Sequence, residues 1–146
     1  MTQNAFEIVG QDYTFEAGAD LSTKQYYAVK LDSNGQVVVA GAGEAAIGIL
    51  QNKPAAAGRA AQVRVSGVSH WVAGGAIAGA SRVAPHGDGK AQVAVAASGD
   101  TQAGAAADTV VGSFVLGRIL GTAAAASGDW APVLITHEGA VPTTAA

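Results

Sequence analysis

The sequence predicts an all-β fold: a small Gly/Ala-rich β-barrel or sandwich, with at most one short helix and extended terminal arms. Three observations predict it. Apolar residues alternate with period two in several short segments, as half-buried strands require. Asn34-Gly35 supplies the chemistry of a tight hairpin turn, and clusters of Gly, Pro, Asp and Ser interrupt the chain about every 8–15 residues.

The elements follow in order. After an N-terminal arm, Gln25 to Leu31 alternates with Tyr27, Val29 and Leu31 on one face. Asp32-Ser33-Asn34-Gly35 turns the chain, with a two-residue Asn-Gly turn expected, and Gln36 to Ala40 returns as the partner strand. Ala46 to Leu50 is the next strand, closed by Asn52-Lys53-Pro54. Ala61 to Ser66 then turns Gln62, Arg64 and Ser66 outward. At Gly67 the pattern changes phase, and Val68, His70 and Val72 are expected to carry the apolar alternation past a bulge or corner. Arg82-Val83-Ala84 leads through the turn Pro85-His86-Gly87-Asp88-Gly89 into Ala91 to Ala96. An irregular loop follows to Asp108, and Thr109 to Leu120 forms a strand interrupted by Gly112 and Gly117. The one short helix is placed near Ala123 to Ala126, because alanine is the best helix former. Trp130 to Thr136 closes the fold. Pro132 cannot donate to a ladder, so this strand is expected at an edge or with that position turned outward.

The 146 residues fit one domain. They divide into an N-terminal arm over 1–12, a β-domain over 13–136 and a C-terminal tail over 137–146. Hydrophobic residues make up 49% of the chain, yet 34 of its residues are alanine and 20 are glycine. A buried alanine withdraws little apolar area, at about 25 cal/mol per Å². A lone protomer is therefore expected to be marginal and to bury further surface against its own copies or a partner.

Composition also sets aside several classes of function. The net charge is −3, and the eight Lys and Arg are dispersed, so a basic nucleic-acid footprint is missing. The absence of cysteine removes disulfides, thiolate metal sites and a cysteine nucleophile. No run of 18 apolar residues predicts a membrane-spanning helix, and the first residues lack the pattern of a secretion signal.

Chemistry-bearing groups do not converge. His70, His86 and His137 are far apart, and none has a metal-ligand partner at helical or strand spacing. His70 reads as a satisfied core or interface residue, His86-Gly87-Asp88-Gly89 as a tight turn, and His137-Glu138 as solvent-exposed. Asp32-Ser33-Asn34-Gly35 begins like a calcium loop but lacks the later acidic ligands and the closing glutamate. Gly41-Ala42-Gly43 meets no phosphate-binding fingerprint, and Gly112-Ser113-Phe114 is not a nucleophile elbow. The expectation is a non-enzyme with no metal and no cofactor.

The aromatics are candidates for contact. Tyr26, Tyr27, Trp71 and Trp130 are the large rings inside predicted strands, where they either fill an Ala/Val core or anchor an interface. Phe6, Ile8 and Val9 form an apolar patch in an otherwise polar leader. They are expected to dock on a partner or a neighbouring subunit, or else to form the protomer's own first strand. The contact residues proposed from sequence are Phe6, Ile8, Val9, Tyr26, Trp71 and Trp130.

Several stretches also resemble a known family. Tyr13-Thr14-Phe15-Glu16-Ala17-Gly18-Ala19-Asp20-Leu21, Ala46-Ile47-Gly48-Ile49-Leu50 and Val63-Arg64-Val65-Ser66-Gly67-Val68 are similar to segments of tailed-phage capsid decoration proteins, also called cement or head-stabilising proteins. The closing stretch Val115 to Ala123, followed by Ser127-Gly128-Asp129 and a last apolar strand, fits the same pattern. The resemblance spans about residues 13–136 and carries no catalytic residues. It implies a virion protein made in the host cytoplasm that binds the outside of an assembled icosahedral shell and stabilises it. Its implied partners are the major capsid protein and two copies of itself, as a homotrimer at three-fold or quasi-three-fold sites, with neither nucleic acid nor membrane involved. The loop from Asp100 to Asp108 is longer than the pattern needs. A phage tail or spike module and a surface glycan-binding β-module are the alternative readings. The first should show long repetitive β stretches, and the second clustered exposed aromatics.

Overall fold

The computed structural model of the chain describes residues 10–95, 113–121 and 126–139. They form nine strands: β1 Gly10–Glu16, β2 Ala28–Leu31, β3 Val37–Val39, β4 Gly48–Leu50, β5 Ala60–Val72, β6 Arg82–Pro85, β7 Ala91–Val93, β8 Gly117–Ile119 and β9 Trp130–Ile135. All belong to one antiparallel sheet in the order β3-β2-β4-β5-β9-β8-β6-β7, with β1 also paired to β5. The sheet curls into a half-barrel, and the fold is all-β as expected. Its two ends are tied across the curl: the Ala28 amide donates to the Gly89 carbonyl at 2.8 Å, and the Gly43 amide to the Pro85 carbonyl at 2.8 Å.

β5 organises the sheet. It pairs with β1 from Ala60 to Gly67, with β4 at Val63 and Arg64, and with β9 from Gly67 to Val72. A bulge is present two residues before the expected Gly67: the β1 register shifts between Gln11 and Asp12, which face Ser66 and Arg64 and leave Val65 unpaired with β1, while Gly67 has φ 89°. Val68 and His70 do not turn inward as expected. Ser69 and Trp71 are fully buried, while Val68 and His70 are half-buried. Ser69 tolerates burial because its hydroxyl receives Gln51 Nε2 at 2.9 Å and donates to the His70 carbonyl.

Other expectations are corrected in detail. The turn after β2 is a three-residue loop, closed by the Asp32 amide on the Gln36 carbonyl at 2.8 Å, with only Gly35 at positive φ. Asp32 Oδ1 selects this form by accepting the amides of Asn34 and Gln36 at 2.8 and 2.9 Å. Leu31 is 40% exposed, and Tyr27 precedes the strand rather than joining its inner face. β9 lies inside the sheet between β5 and β8, not at an edge. Pro132 is accommodated because its carbonyl accepts Leu120 on the β8 side, where the ladder has already ended at Ile119 and Val133. The first strand begins at Gly10, inside the segment assigned to the arm. Residues 122–125 and 109–112, on which the expected helix and the start of a strand were placed, lie outside the described residues.

Two glycines let strands close on their neighbours. A Cβ on Gly48 would lie 2.1 Å from the Arg64 carbonyl oxygen, and one on Gly117 would lie 2.2 Å from that of Leu134. The core divides in two. Ala17, Leu21, Val29, Val37, Leu50 and Val63 form one cluster, and Trp71 with Ile49, Ile77, Leu116, Ile119 and Val133 forms the other, on opposite faces of β2 and β4, where Ala28 and Ile49 alternate with Val29 and Leu50. Alanines 28, 40, 73, 91 and 131 belong to the Trp71 cluster, where small side chains make room for one large ring.

Candidate interaction face

Of the contact residues proposed from sequence, the fold separates Trp71 from Tyr26 and Trp130. Trp71 is wholly enclosed, and its Nε1 donates to the Gly89 carbonyl at 3.0 Å, so it has no surface to offer a partner. Alternation on β9 decides the fate of the other tryptophan. Ala131, Val133 and Ile135 point into the core, which turns Trp130, Pro132 and Leu134 to the convex side. Trp130 is 59% exposed. Phe6, Ile8 and Val9 lie outside the described residues.

Tyr26 reaches Trp130 from the loop ahead of β2. Its ring meets Trp130 edge-on at 5.0 Å between centroids and His70 at 5.6 Å, and His70 and Trp130 are 5.3 Å apart. Such a contact between aromatic rings is worth about 0.5–1.5 kcal/mol beyond burial. The Tyr26 backbone is held at φ 64°, in the left-handed region that a bulky residue rarely enters. Two hydrogen bonds impose it: the Tyr26 amide donates to Leu50 at 2.7 Å, and its carbonyl accepts Val72 at 3.0 Å. The strain is carried by the sheet and fixes where the ring sits.

His70 departs from expectation. It is not satisfied, because its Nδ1 is buried with no hydrogen-bond partner among the described residues. Burial pushes the imidazole below the ordinary histidine value, and the Arg64 guanidinium adds to the shift. The neutral ring therefore completes an aromatic trio on this face. The sequence signal for it was its place across the ladder from Pro132, visible only once β5 and β9 pair.

On the far side of β9 the face becomes basic. Strand registers place Val68 beside Leu134, Leu134 beside Arg118, and Arg118 beside Arg82, in one row across β5, β9, β8 and β6. Both arginines reach the same carboxylate oxygen, Glu138 Oε1, at 3.3 and 3.7 Å. Thr136 donates to the other oxygen at 3.3 Å. Sequence reasoning missed this pair because 36 residues separate its members, and nothing local marks them as neighbours.

Among the described residues, no three His, Asp or Glu side chains gather as metal ligands. A cleft of about 280 Å³ lies beside Ala46, Phe114, Leu116, His137 and Glu138. Its polar groups are engaged elsewhere: His137 Nε2 lies 2.6 Å from the Val65 carbonyl, and Glu138 holds the arginines. His86 Nδ1 meets Asp88 Oδ1 at 3.0 Å within the expected tight turn.

The fold has a known counterpart. The structure is similar to that of the head fiber gp8.5 N base of bacteriophage phi29, with a TM-score of 0.56 and 15% sequence identity over 90% of this chain and 98% of that one. At that identity the likeness establishes a shared fold. No protein-family model and no curated protein matches the chain.

Proposed function

We propose that the chain is a structural protein of a phage head, binding the exterior of the assembled shell and stabilising it. The observation that carries this reading is the likeness to the phi29 head fiber base, which spans nearly the whole of both chains. The resemblance of residues 13–136 to capsid decoration proteins supports the same reading from the sequence side. So do the exposed Trp130, with the half-buried Tyr26 and His70 beside it, and the arginine row on the same face, since Trp, Tyr and Arg are enriched where proteins meet. The chain works by binding rather than by catalysis, without a cofactor, and its partners are the major capsid protein and its own copies. A homotrimer fits a protomer whose core leans on alanine, because closed symmetric contacts add the burial that small side chains do not.

Electron microscopy of purified heads tests the reading. Density of this fold is expected on the outer surface, clustered in threes, and absent from heads made without the chain. Heads that lack it at every position overturn the proposal. Sedimentation of the free chain tests the trimer separately, and a folded monomer at micromolar concentration removes that part.

A further inference from the structure

The convex face of β5, β9, β8 and β6 joins an apolar centre to a positively charged rim. Trp130, Pro132 and Leu134 project from β9, and Val68 lies across the ladder from Leu134. Leu134 is itself 38% exposed. Next in the row come Arg118 and Arg82, each 45% exposed and directly opposite one another. Like charges opposed across a ladder destabilise a sheet unless a counter-charge sits between them. Glu138 supplies one, but one carboxylate against two guanidiniums leaves the site with an excess of one positive charge, on a chain whose net charge is −3.

We propose that this face is the surface that seats on the shell, and that it takes a segment of shell protein in which a carboxylate lies beside apolar side chains. This rests on the reading of the chain as a shell-binding protein. The apolar side chains cover Trp130 and Leu134, and the carboxylate completes the neutralisation of Arg82 and Arg118. Glu138 acts in the free chain as a tethered stand-in for that carboxylate: it holds the two side chains in place and gives up part of its hold on docking. Charge complementarity favours this occupant over a second copy presenting the same face, which would set four arginines against each other.

Binding of the purified full chain to heads assembled without it tests the proposal, with folding of each variant checked by circular dichroism. Trp130→Ala is expected to weaken binding at least tenfold at any ionic strength. Arg82→Gln with Arg118→Gln is expected to weaken it at least tenfold at low salt and to flatten its salt dependence. Lys53→Gln with Arg59→Gln, an equal charge change on the exposed loop before β5, should stay within twofold. Glu138→Gln removes the internal competitor and should bind a few-fold tighter. Leu134→Glu gives a second route to the same end, placing a carboxylate against Arg118 on an exposed position, and should bind at least tenfold more weakly. Wild-type heads-binding with unchanged affinity in the Trp130 and arginine variants overturns this inference alone. Loss of the free chain's self-association in those variants, with head binding intact, assigns the face to a second copy and also overturns it. A wild-type chain that does not bind heads overturns both this inference and the function on which it rests.

Discussion

The two halves of β5 teach how one strand can present two kinds of surface. From Ala60 to Val65 its outward side chains are the polar Gln62 and Arg64, and the second is held by the chain itself. Arg64 Nε and Nη2 donate to Asp12 at 2.7 and 3.2 Å, and its Nη1 donates to the Val68 carbonyl; beside it the Gln62 backbone N–H donates to Asn52 Oδ1. From Val68 to Val72 the outward positions are Val68 and His70, facing Leu134 and Pro132, and His70 Nδ1, buried there, has no partner among the described residues. The first half is closed by its own chain through β1. The second half is left for something else to close.

That contrast can be broken most severely from inside. Trp71→Ala should destabilise the fold by about 3–5 kcal/mol, as removal of a buried indole does, with the Gly89 carbonyl also losing its donor. Trp130→Ala, on the open face, should change stability by no more than about 1.5 kcal/mol, the value of its ring contacts. Urea denaturation of both variants checks the pair, and equal losses would place Trp130 in the core.

The strand crossings of the two halves should prove equivalent. Gly48→Ala and Gly117→Ala each drive a methyl into a neighbouring carbonyl, at 2.1 and 2.2 Å. Each should cost on the order of 3 kcal/mol through forced separation of the strands. Thermal melts of the two variants measure this, and an unaffected Gly117→Ala would show that the β8–β9 crossing can relax where β4–β5 cannot.

The closed half should depend on its ion pair. Asp12→Ala strands the half-enclosed Arg64 guanidinium and should cost about 2 kcal/mol, in the range for hydrogen bonds to charged groups. Denaturation at low and high salt checks it. The loss should persist at high salt, because the pair is only 16–20% exposed and so is poorly screened.

The smallest effect belongs to the open half and is read in pH. Burial lowers the His70 pKa in the folded chain below the ordinary value of 6.5. Between the two values the unfolded chain holds more protons, so stability falls as pH falls. The contribution is complete above about pH 6.5 and is lost as pH drops through the folded value. Denaturation midpoints from about pH 8 to about pH 5 should slope downward for the wild type and less steeply for His70→Phe, and identical slopes would remove His70 as the cause.

Much of this was legible in residues close along the chain. The Asn34-Gly35 turn signal gave β3 as the partner strand of β2, alternation in Ala61 to Val65 gave part of β5, the turn fell at Gly35 and the bulge within two residues of Gly67, and both termini of β9 were placed within a residue. The turn after β2 was misread because Asn34-Gly35 favours two-residue turns, whereas the Asp32 side chain stabilises a longer one. The position of β9 was misread because Pro132 was judged without knowing how short β8 is.

The sequence by itself determined the class of fold, where most strands and turns fall, and the shortage of large side chains for a core, since all of these follow from local propensity, periodicity and composition. Only the tertiary structure decided which tryptophan is core and which is surface, that Tyr26 and His70 meet Trp130, and that Arg82 and Arg118 stand opposite each other over one carboxylate. Those outcomes depend on strand order and register, which long-range pairing sets: a strand records its own period of two, but not which neighbour covers each face.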